Sequence, residues 1–169
     1  MALDPETLLR EAKALQEELV ALRRDIHAHP ELGSCEVRTT ALIKKYLEEL
    51  GIEVRPCTET GVLGILYGGK PGKTIGLRAD IDALPIQEET GLPFASKNAG
   101  VMHACGHDLH TASLMGAAKI LSAHRDALCG NVKFFFQPDE EGNGGAERMV
   151  RAGCLQGPDV DAVFGGHSS

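Results

Sequence analysis

The chain has 169 residues, of which 43% are hydrophobic and 24% are charged, and its formal net charge is −7. This size and composition are typical of one globular domain with a sizeable core. The negative charge excludes a general attraction to nucleic acid or to anionic membrane surfaces. Because charges run throughout residues 1–25, we expect neither a secretory signal nor a transmembrane helix there, and we predict a cytoplasmic protein.

The five cysteines are odd in number and widely spread, and none forms a C-x-x-C pair. This pattern disfavours a disulfide framework or a zinc ribbon. In a reducing compartment we expect most of them to be free thiols. Cys105 is the exception, because it lies in a cluster of histidines.

Helix and strand patterns alternate along the chain. A first helix is expected to begin at Asp4, the N-cap before Pro5, and to end between His27 and Pro30. Further helices are predicted over residues 34–51, 108–124 and 145–152, and residues 82–100 are predicted to form a loop. Strands are predicted over residues 52–57, 62–67, 74–79, 131–137 and 160–164.

This alternation predicts an α/β layer fold with a mostly parallel sheet and helices on both faces. In such sheets, ligands bind beyond the carboxyl ends of the strands. Asp80 and Asp82 come directly after the third predicted strand, Glu140 and Glu141 after the fourth, and His167 after the fifth. The sequence therefore predicts that side chains suited to metal binding meet at one edge of the sheet.

The densest cluster of such side chains is HACGHDLH, residues 103–110. Cys105 and His107 are two residues apart, so they converge on one point only from a loop or an extended segment. A thiolate and an imidazole both suit zinc or a similar first-row divalent ion. On these residues alone, a loop with Asp108 as a helix N-cap is the alternative. His110 is close enough to support a ligand.

Two adjacent carboxylates, Glu140 and Glu141, follow an apolar strand and Pro138. One can bind a metal ion while the other takes a proton from water and passes it to a leaving amine. The alternative is a solvated acidic loop. Asp80 and Asp82 alternate, so a strand continuing through both would point them to one face. There, one could orient a ligand histidine, although Asp82 could equally cap the following turn.

A second cluster, HAHPE, contains His27, His29 and Glu31. Pro30 should end the helix at this point, and histidines near a helix C-terminus are stabilised by the helix dipole. We therefore interpret this cluster as a helix end and turn.

Five segments occur in a recognisable order: RDIHAHPELG, LRADIDALPI, HACGHDLHTASL, FFFQPDEEGNGGAERM and FGGH. From about Leu8 to His167, the chain resembles the hippurate hydrolase, N-acyl-amino-acid amidohydrolase and auxin-conjugate hydrolase family of dinuclear metallo-amidohydrolases. The resemblance implies a three-layer, zinc-exopeptidase-like catalytic domain with a mostly parallel mixed sheet. It also implies two divalent metal ions (Mn²⁺, Zn²⁺ or Co²⁺) and hydrolysis of the amide bond of small N-acyl amino acids, which releases a carboxylic acid and an amino acid.

The resemblance also assigns roles to individual residues. Cys105 matches the cysteine that bridges the two ions, and Glu140 matches the general base. The residues that match further metal ligands are His107, Glu141 and His167. The residues expected to support these ligands without binding the ions are Asp80, Asp82, Asp108 and His110.

The chain departs from the family pattern in two ways. Asp139 stands where the family usually has alanine or a proline-like residue, and it either perturbs the pKa of Glu140 or is harmless. Family members are also more than twice as long, so residues 1–169 match only the N-terminal portion of the catalytic domain. The resemblance implies that residues 1–169 lack the small domain that caps the cleft and mediates dimerisation, and also the returning segment with a fifth ligand. Full-length members are expected to be homodimers or tetramers. No nucleic-acid or membrane partner is expected.

Two other hypotheses stay open. The first is a thiol hydrolase in which Cys105 acts with His107. The second is a truncated, catalytically incompetent fragment that at most binds metal. Loss of activity with a chelator would separate the metal enzyme from the thiol hydrolase, and turnover by the 169-residue chain would exclude the incompetent fragment.

Overall fold

A computed structural model describes residues 4–168. The helices are α1 (Pro5–Ala14), α2 (Gln16–Ala28), α3 (Val37–Glu49), α4 (His107–Ala123) and α5 (Gly145–Arg151). The strands are β1 (Glu53–Pro56), β2 (Val62–Tyr67), β3 (Lys70–Asp80), β4 (Cys129–Gln137) and β5 (Ala162–Gly165). A 3-10 turn (Arg125–Ala127) joins α4 to β4.

The five strands form one mixed sheet in the order β1-β2-β4-β3-β5. β1, β2 and β4 pair antiparallel, whereas β3 runs parallel to both β4 and β5. The register pairs Asp80, the last residue of β3, with Gln137, the last residue of β4. Because β3, β4 and β5 run in one direction, the segments that follow them leave the sheet at the same edge. The predicted α/β class is confirmed.

Alternate side chains of the central strands are buried on opposite faces of the sheet, as expected for a sheet covered on both sides. One face packs against α2, α3 and α4, and its core includes Ile26, Ile43, Leu47, Val62, Leu66, Met115, Phe134 and Phe136. The other face packs against α5 and the turn after it, and its core is Cys57, Leu63, Ile65, Phe135, Met149 and Cys154. Helices therefore cover both faces, as the sequence predicted.

The structure corrects three of the predictions about helices. The first predicted helix is two helices, because the chain is interrupted at Leu15, whose N–H is shared between carbonyls three and four residues back. α3 begins at Val37 and not at Ser34, because Ser34 has a φ of +65°, which helical residues do not adopt. α4 begins one residue early, at His107, after Gly106 at a φ of +84°. Asp108 is therefore in the first turn and is not the N-cap.

The last predicted strand also begins later than expected, at Ala162, because Asp161 binds the backbone N–H of Thr74 through its side chain at 2.8 Å.

Among residues 4–168, no helix combines the length and the apolar character that a membrane crossing requires.

The central strand β4 generates a stability prediction. Phe134 lies in β4, which pairs with β2 and β3, and its side chain is fully buried in the core. Phe134→Ala should therefore lower the free energy of unfolding by about 3–5 kcal/mol. Urea denaturation of the purified chain measures this change. Val37→Ala is the control, because Val37 is 69% exposed and its truncation should cost no more than about 0.5 kcal/mol. Equal losses in the two variants would contradict the packing described above.

Candidate metal centre

His107 opens α4 and has one ring nitrogen fixed by the backbone. Its Nδ1–H donates to the carbonyl oxygen of Asp82 at 2.9 Å, which leaves the lone pair on Nε2. Nε2 is buried and has no hydrogen-bond partner among the described residues. A buried polar atom without a partner is costly, and it is characteristic of an atom that binds a ligand or ion.

Carboxylates from the ends of β3 and β4 surround this nitrogen. Nε2 of His107 lies 3.5 Å from Oδ2 of Asp80, 3.8 Å from Oε1 of Glu141 and 4.0 Å from Oε2 of Glu140. Asp82 contributes a fourth acidic group, with Oδ1 3.3 Å from Nδ1 of the same ring. The shared sheet edge therefore brings together the acidic side chains that the strand pattern had placed there.

Cys105 and His167 also lie close to His107. Sγ of Cys105 is 3.6 Å from Nε2 of His167. Nδ1–H of His167 donates to the carbonyl oxygen of Ser168 at 2.6 Å, so its Nε2 lone pair faces the thiol. His167 is the second residue after β5, so the third parallel strand also brings a donor to this edge.

His110 is one turn along α4, and its ring lies 4.9 Å from the ring of His167. Its Nδ1–H donates to Oδ1 of Asp80 at 2.6 Å, and its Nε2 accepts the backbone N–H of Ser168 at 2.8 Å. Asp80 also accepts from Nη1 of Arg78 at 2.7 Å. His110 and Asp80 thus connect β3, α4 and the segment after β5.

These donors form three overlapping groups, and within each group the donor atoms lie within 4.8 Å of one another. His107 belongs to all three. The groups are Cys105 with His107 and His167, Asp80 with His107 and His110, and His107 with Glu140 and Glu141. Thiol, imidazole and carboxylate donors suit first-row divalent ions. The residues present therefore fit a metal centre, and the roles expected for Cys105, His107, Glu141 and His167 stay predictions.

The electrostatics of the cluster favour a cation. Burial, together with the hydrogen bond and negative charge of Glu141, raises the pKa of the Cys105 thiol to about 11. Burial alone would lower the pKa of His107, but Asp82 and Asp80 outweigh it and raise that pKa. Burial opposes ionisation of Asp82, yet His107 and the backbone N–H groups of Glu141 and Glu140 hold its pKa below the ordinary value. The Asp82 carboxylate therefore stays charged while the Cys105 thiol stays protonated.

Asp108 faces away from this cluster. Its Oδ2 accepts from Nε of Arg23 at 2.6 Å and from Nδ1 of His27 at 2.9 Å, so its carboxylate joins α4 to α2. It was expected to support a metal ligand, and among the described residues its side-chain hydrogen bonds go to these two partners. Beside it, His103 is 3% exposed and neither ring nitrogen has a partner in the described part of the chain. Burial lowers the pKa of His103 to about 4, so its ring is neutral near pH 7.

The HAHPE segment ends α2, as the sequence predicted, but its side chains do more than form a turn. His27 is buried and Nε2 of its ring lies 3.2 Å from Oε1 of Glu88, in the long loop before α4. The Glu31 carboxylate accepts the backbone N–H groups of Arg38 and Thr39, each at 2.8 Å, and so caps α3. The contact between His27 and Asp108 could not be predicted from spacing, because 81 residues separate the two.

The carboxylate of Asp139 is directed away from Glu140. It is 3% exposed, and its Oδ2 accepts from Oγ of Ser34 at 3.0 Å and from Nη2 of Arg148 at 2.8 Å. Arg148 therefore balances its charge. Sequence reasoning also missed Arg78 and Ser168, since neither belongs to a pattern of metal-binding residues.

Comparisons with known proteins agree with this geometry. Residues 76–169 match the profile of Peptidase family M20/M25/M40. The chain belongs to this family. An N-acetyl-L-cysteine deacetylase of Bacillus subtilis (strain 168) is 51% identical over 91% of this chain and 37% of its own length. An N-acyl-L-amino acid amidohydrolase of Geobacillus stearothermophilus is 48% identical over 96% of this chain and 44% of its own length.

A solved structure shows the same fold at close sequence identity. It is a Bacillus subtilis protein described as a dinuclear metal binding peptidase from the M20 family, with a TM-score of 0.88 and 50% identity. The match covers 93% of this chain and 44% of that one. The resemblance to metallo-amidohydrolases is therefore confirmed at the level of the M20/M25/M40 family. The chain spans less than half the length of these relatives.

The raised pKa of Cys105 predicts that metal binding releases a proton. The thiol is protonated up to about pH 11, and a metal binds the thiolate, so affinity should increase as the pH rises from neutrality. Calorimetric titration with Zn²⁺ in buffers of different protonation enthalpy should show about one proton released from this thiol per binding event.

Cys105→Ser should abolish that proton release and weaken binding by at least about tenfold. Cys129→Ser is the matched control, because Cys129 is exposed and is the first residue of β4, at the end of that strand opposite to Glu140 and Glu141. Identical buffer dependence in Cys105→Ser and the unaltered chain would show that Cys105 is not a ligand.

Proposed function

We propose that this chain forms the N-terminal portion of the catalytic domain of a metal-dependent amidohydrolase that cleaves the amide bond of N-acyl amino acids. The observation that carries the proposal is the buried Nε2 of His107, which has no partner among the described residues, in a residue that belongs to three groups of metal-binding donors. The names of the relatives supply the substrate class. The deacetylase and the amidohydrolase both act on N-acylated amino acids by their names.

The proposed cofactor is a pair of divalent ions, Mn²⁺, Zn²⁺ or Co²⁺, and a solved relative described as dinuclear supports the pair. Cys105 would bridge the ions, and the other ligands in this chain would be His107, Glu141 and His167. When bound, such ions polarise a scissile carbonyl and lower the pKa of water. Asp82 and Asp80 would orient His107 and His110 around them.

Glu140 is proposed as the general base. Its side chain is 40% exposed, against 29% for Glu141, so it reaches further into the open side of the cluster. From there its carboxylate can take a proton from the attacking water and deliver it to the departing amino nitrogen. Glu141, closer to His107, suits the role of a ligand.

One observation favours a thiol hydrolase as the second candidate, since the thiol of Cys105 faces Nε2 of His167 at 3.6 Å. A nucleophilic cysteine, however, requires a lowered pKa, and the pKa of Cys105 is raised to about 11. Treatment with a chelator distinguishes the metal enzyme from the thiol hydrolase. In the full-length protein, EDTA should abolish hydrolysis and Mn²⁺, Zn²⁺ or Co²⁺ should restore it, whereas a thiol hydrolase would be indifferent to EDTA.

The 169-residue chain by itself is proposed to bind metal weakly and to show little or no turnover. β5 is exposed along its length, and the cleft of about 540 Å³ between β5 and α4 is open beside His110 and His167. Substrate positioning and exclusion of water both require a closed site. Efficient hydrolysis by the isolated chain would contradict this part of the proposal. The cytoplasmic location and the homodimeric or tetrameric state of the full-length protein stay predictions.

Glu140→Gln tests the base assignment. In the full-length protein it should lower kcat for an N-acyl amino acid by about 10²–10⁴-fold, because an amide cannot accept the water proton. Zn²⁺ affinity, measured by calorimetry, should stay within about threefold, because Glu140 is not a proposed ligand.

Glu147→Gln is the matched control, since Glu147 is an exposed residue of α5 that pairs with Arg151 on the surface. It should leave both kcat and metal affinity unchanged. Normal turnover by Glu140→Gln would remove Glu140 from the mechanism. A loss of metal binding equal to the loss of turnover would instead make Glu140 a ligand.

A further inference from the structure

Glu140 and Glu141 lie in an irregular loop between β4 and α5, so no helix or strand fixes their backbone. Their carboxylates nevertheless lie within 4.0 Å of Nε2 of His107. Both proposed roles, base and ligand, depend on that placement. What holds the loop therefore decides whether the two carboxylates reach the cluster.

Two buried carboxyl groups hold the loop backbone on either side of Glu140. Oε1 of Glu36 accepts the backbone N–H of Asp139 at 2.8 Å, and Oδ2 of Asp82 accepts the backbone N–H of Glu141 at 3.0 Å. Glu36 is 0% exposed and Asp82 is 2% exposed. Hydrogen bonds shielded from water in this way are costly to break, because both partners would stay buried.

Glu36 is itself fixed from a second direction. Oγ1 of Thr60 donates to Oε2 of Glu36 at 2.6 Å, so both carboxyl oxygens are engaged. Thr60 lies between β1 and β2, and Oγ1 of Thr40, in α3, donates to its carbonyl oxygen. The carboxyl group of Glu36 therefore connects the acidic loop to α3 and to the β1–β2 connection.

The side chain of Asp139 adds a third anchor. Asp139 has a φ of +52°, and Ser34, which donates to its carboxylate, has a φ of +65°. Both residues thus occupy a backbone region that is unfavourable for most side chains and is maintained by their surroundings. A Cβ at Gly33 would overlap Oδ1 of Asp139, so the turn at residues 33–36 packs directly against the acidic loop.

We propose that Glu36 is a positioning residue for the catalytic loop: its carboxyl group holds the Asp139 backbone and thereby places Glu140 and Glu141 at the metal centre. This inference rests on the proposed function for its consequence, but the placement itself can be measured without metal or substrate. Glu36 lies 103 residues from Asp139 and would not contact the reacting atoms.

The test compares Glu36→Ala with Glu36→Gln. Glutamine keeps a carbonyl oxygen for the Asp139 N–H and places an amide beside Oγ1 of Thr60, whereas alanine removes both contacts. Glu59→Ala is the matched control, because Glu59 is an exposed acidic residue next to Thr60. Thr60→Val is a milder variant that removes only the donor to Glu36, and it serves if Glu36→Ala does not fold.

The first measurement is amide hydrogen exchange, followed by NMR on the unaltered 169-residue chain and each variant without metal. Glu36→Ala should accelerate exchange at Asp139 at least tenfold relative to exchange at Phe134, whose amide in β4 reports global opening. Glu36→Gln and Glu59→Ala should stay within about threefold of the unaltered chain. Thr60→Val should shift exchange at Asp139 in the same direction as Glu36→Ala, by a smaller factor. Equal acceleration at both amides would show a general structural role and overturn the proposal, as would no acceleration.

The second measurement links placement to the site. Glu36→Ala should weaken Zn²⁺ binding by about 10-fold, because Glu141 is displaced, and Glu36→Gln should restore it. In the full-length protein, kcat should fall by a similar factor while KM changes little. If the unaltered protein neither binds a divalent ion nor hydrolyses an N-acyl amino acid, the proposed function fails, and the exchange data still decide the positioning role. If the unaltered protein binds the ion and hydrolyses the substrate, and Glu36→Ala has the same Zn²⁺ affinity and kcat, only the positioning role fails.

Discussion

The hydrogen bond from Nδ1–H of His107 to the carbonyl oxygen of Asp82 is the contact on which the candidate site depends. It joins the first residue of α4 to the segment after β3, and it fixes which ring nitrogen is free. With Nδ1 engaged, Nε2 carries the lone pair and lies within 4.0 Å of carboxylates from two strand ends. Loss of this bond would let the ring rotate or change tautomer, and the three groups of donors would lose the member they share.

The part of the site that follows strand order could be predicted from the sequence. Runs such as TIGLRA and NVKFFFQ are apolar or alternating enough to identify strands, and their carboxyl ends locate Asp80 and Glu140 at one edge of the sheet. Strand direction adds His167 to this edge, because β5 is parallel to β3 and β4. The strand over residues 62–67 has the predicted bounds, since glycines and a charged turn flank a short apolar run.

The features that depend on distant partners could not be predicted. Asp108 suits an N-cap by type and position, but the N-cap is two residues earlier, at Gly106, and the Asp108 carboxylate contacts Arg23 and His27 of α2. Asp139 looked like a third charge beside Glu140, yet Arg148 and Ser34 take up its carboxylate. Local spacing carries no information about contacts made across so much of the chain, and such contacts override local preferences.

The pairing of charges explains why the site suits a cation. The acidic groups at its margin have basic partners in the protein: Asp80 pairs with Arg78, and Asp139 pairs with Arg148. Within residues 4–168, the ion pairs of Glu140 and Glu141 involve only His107, and its ring must give up the Nε2 proton when that nitrogen binds a metal ion. Two carboxylates and a thiol thus converge without a permanent positive charge. A divalent ion would supply that charge and would also reverse the raised pKa of Cys105, because a coordinated thiol loses its proton.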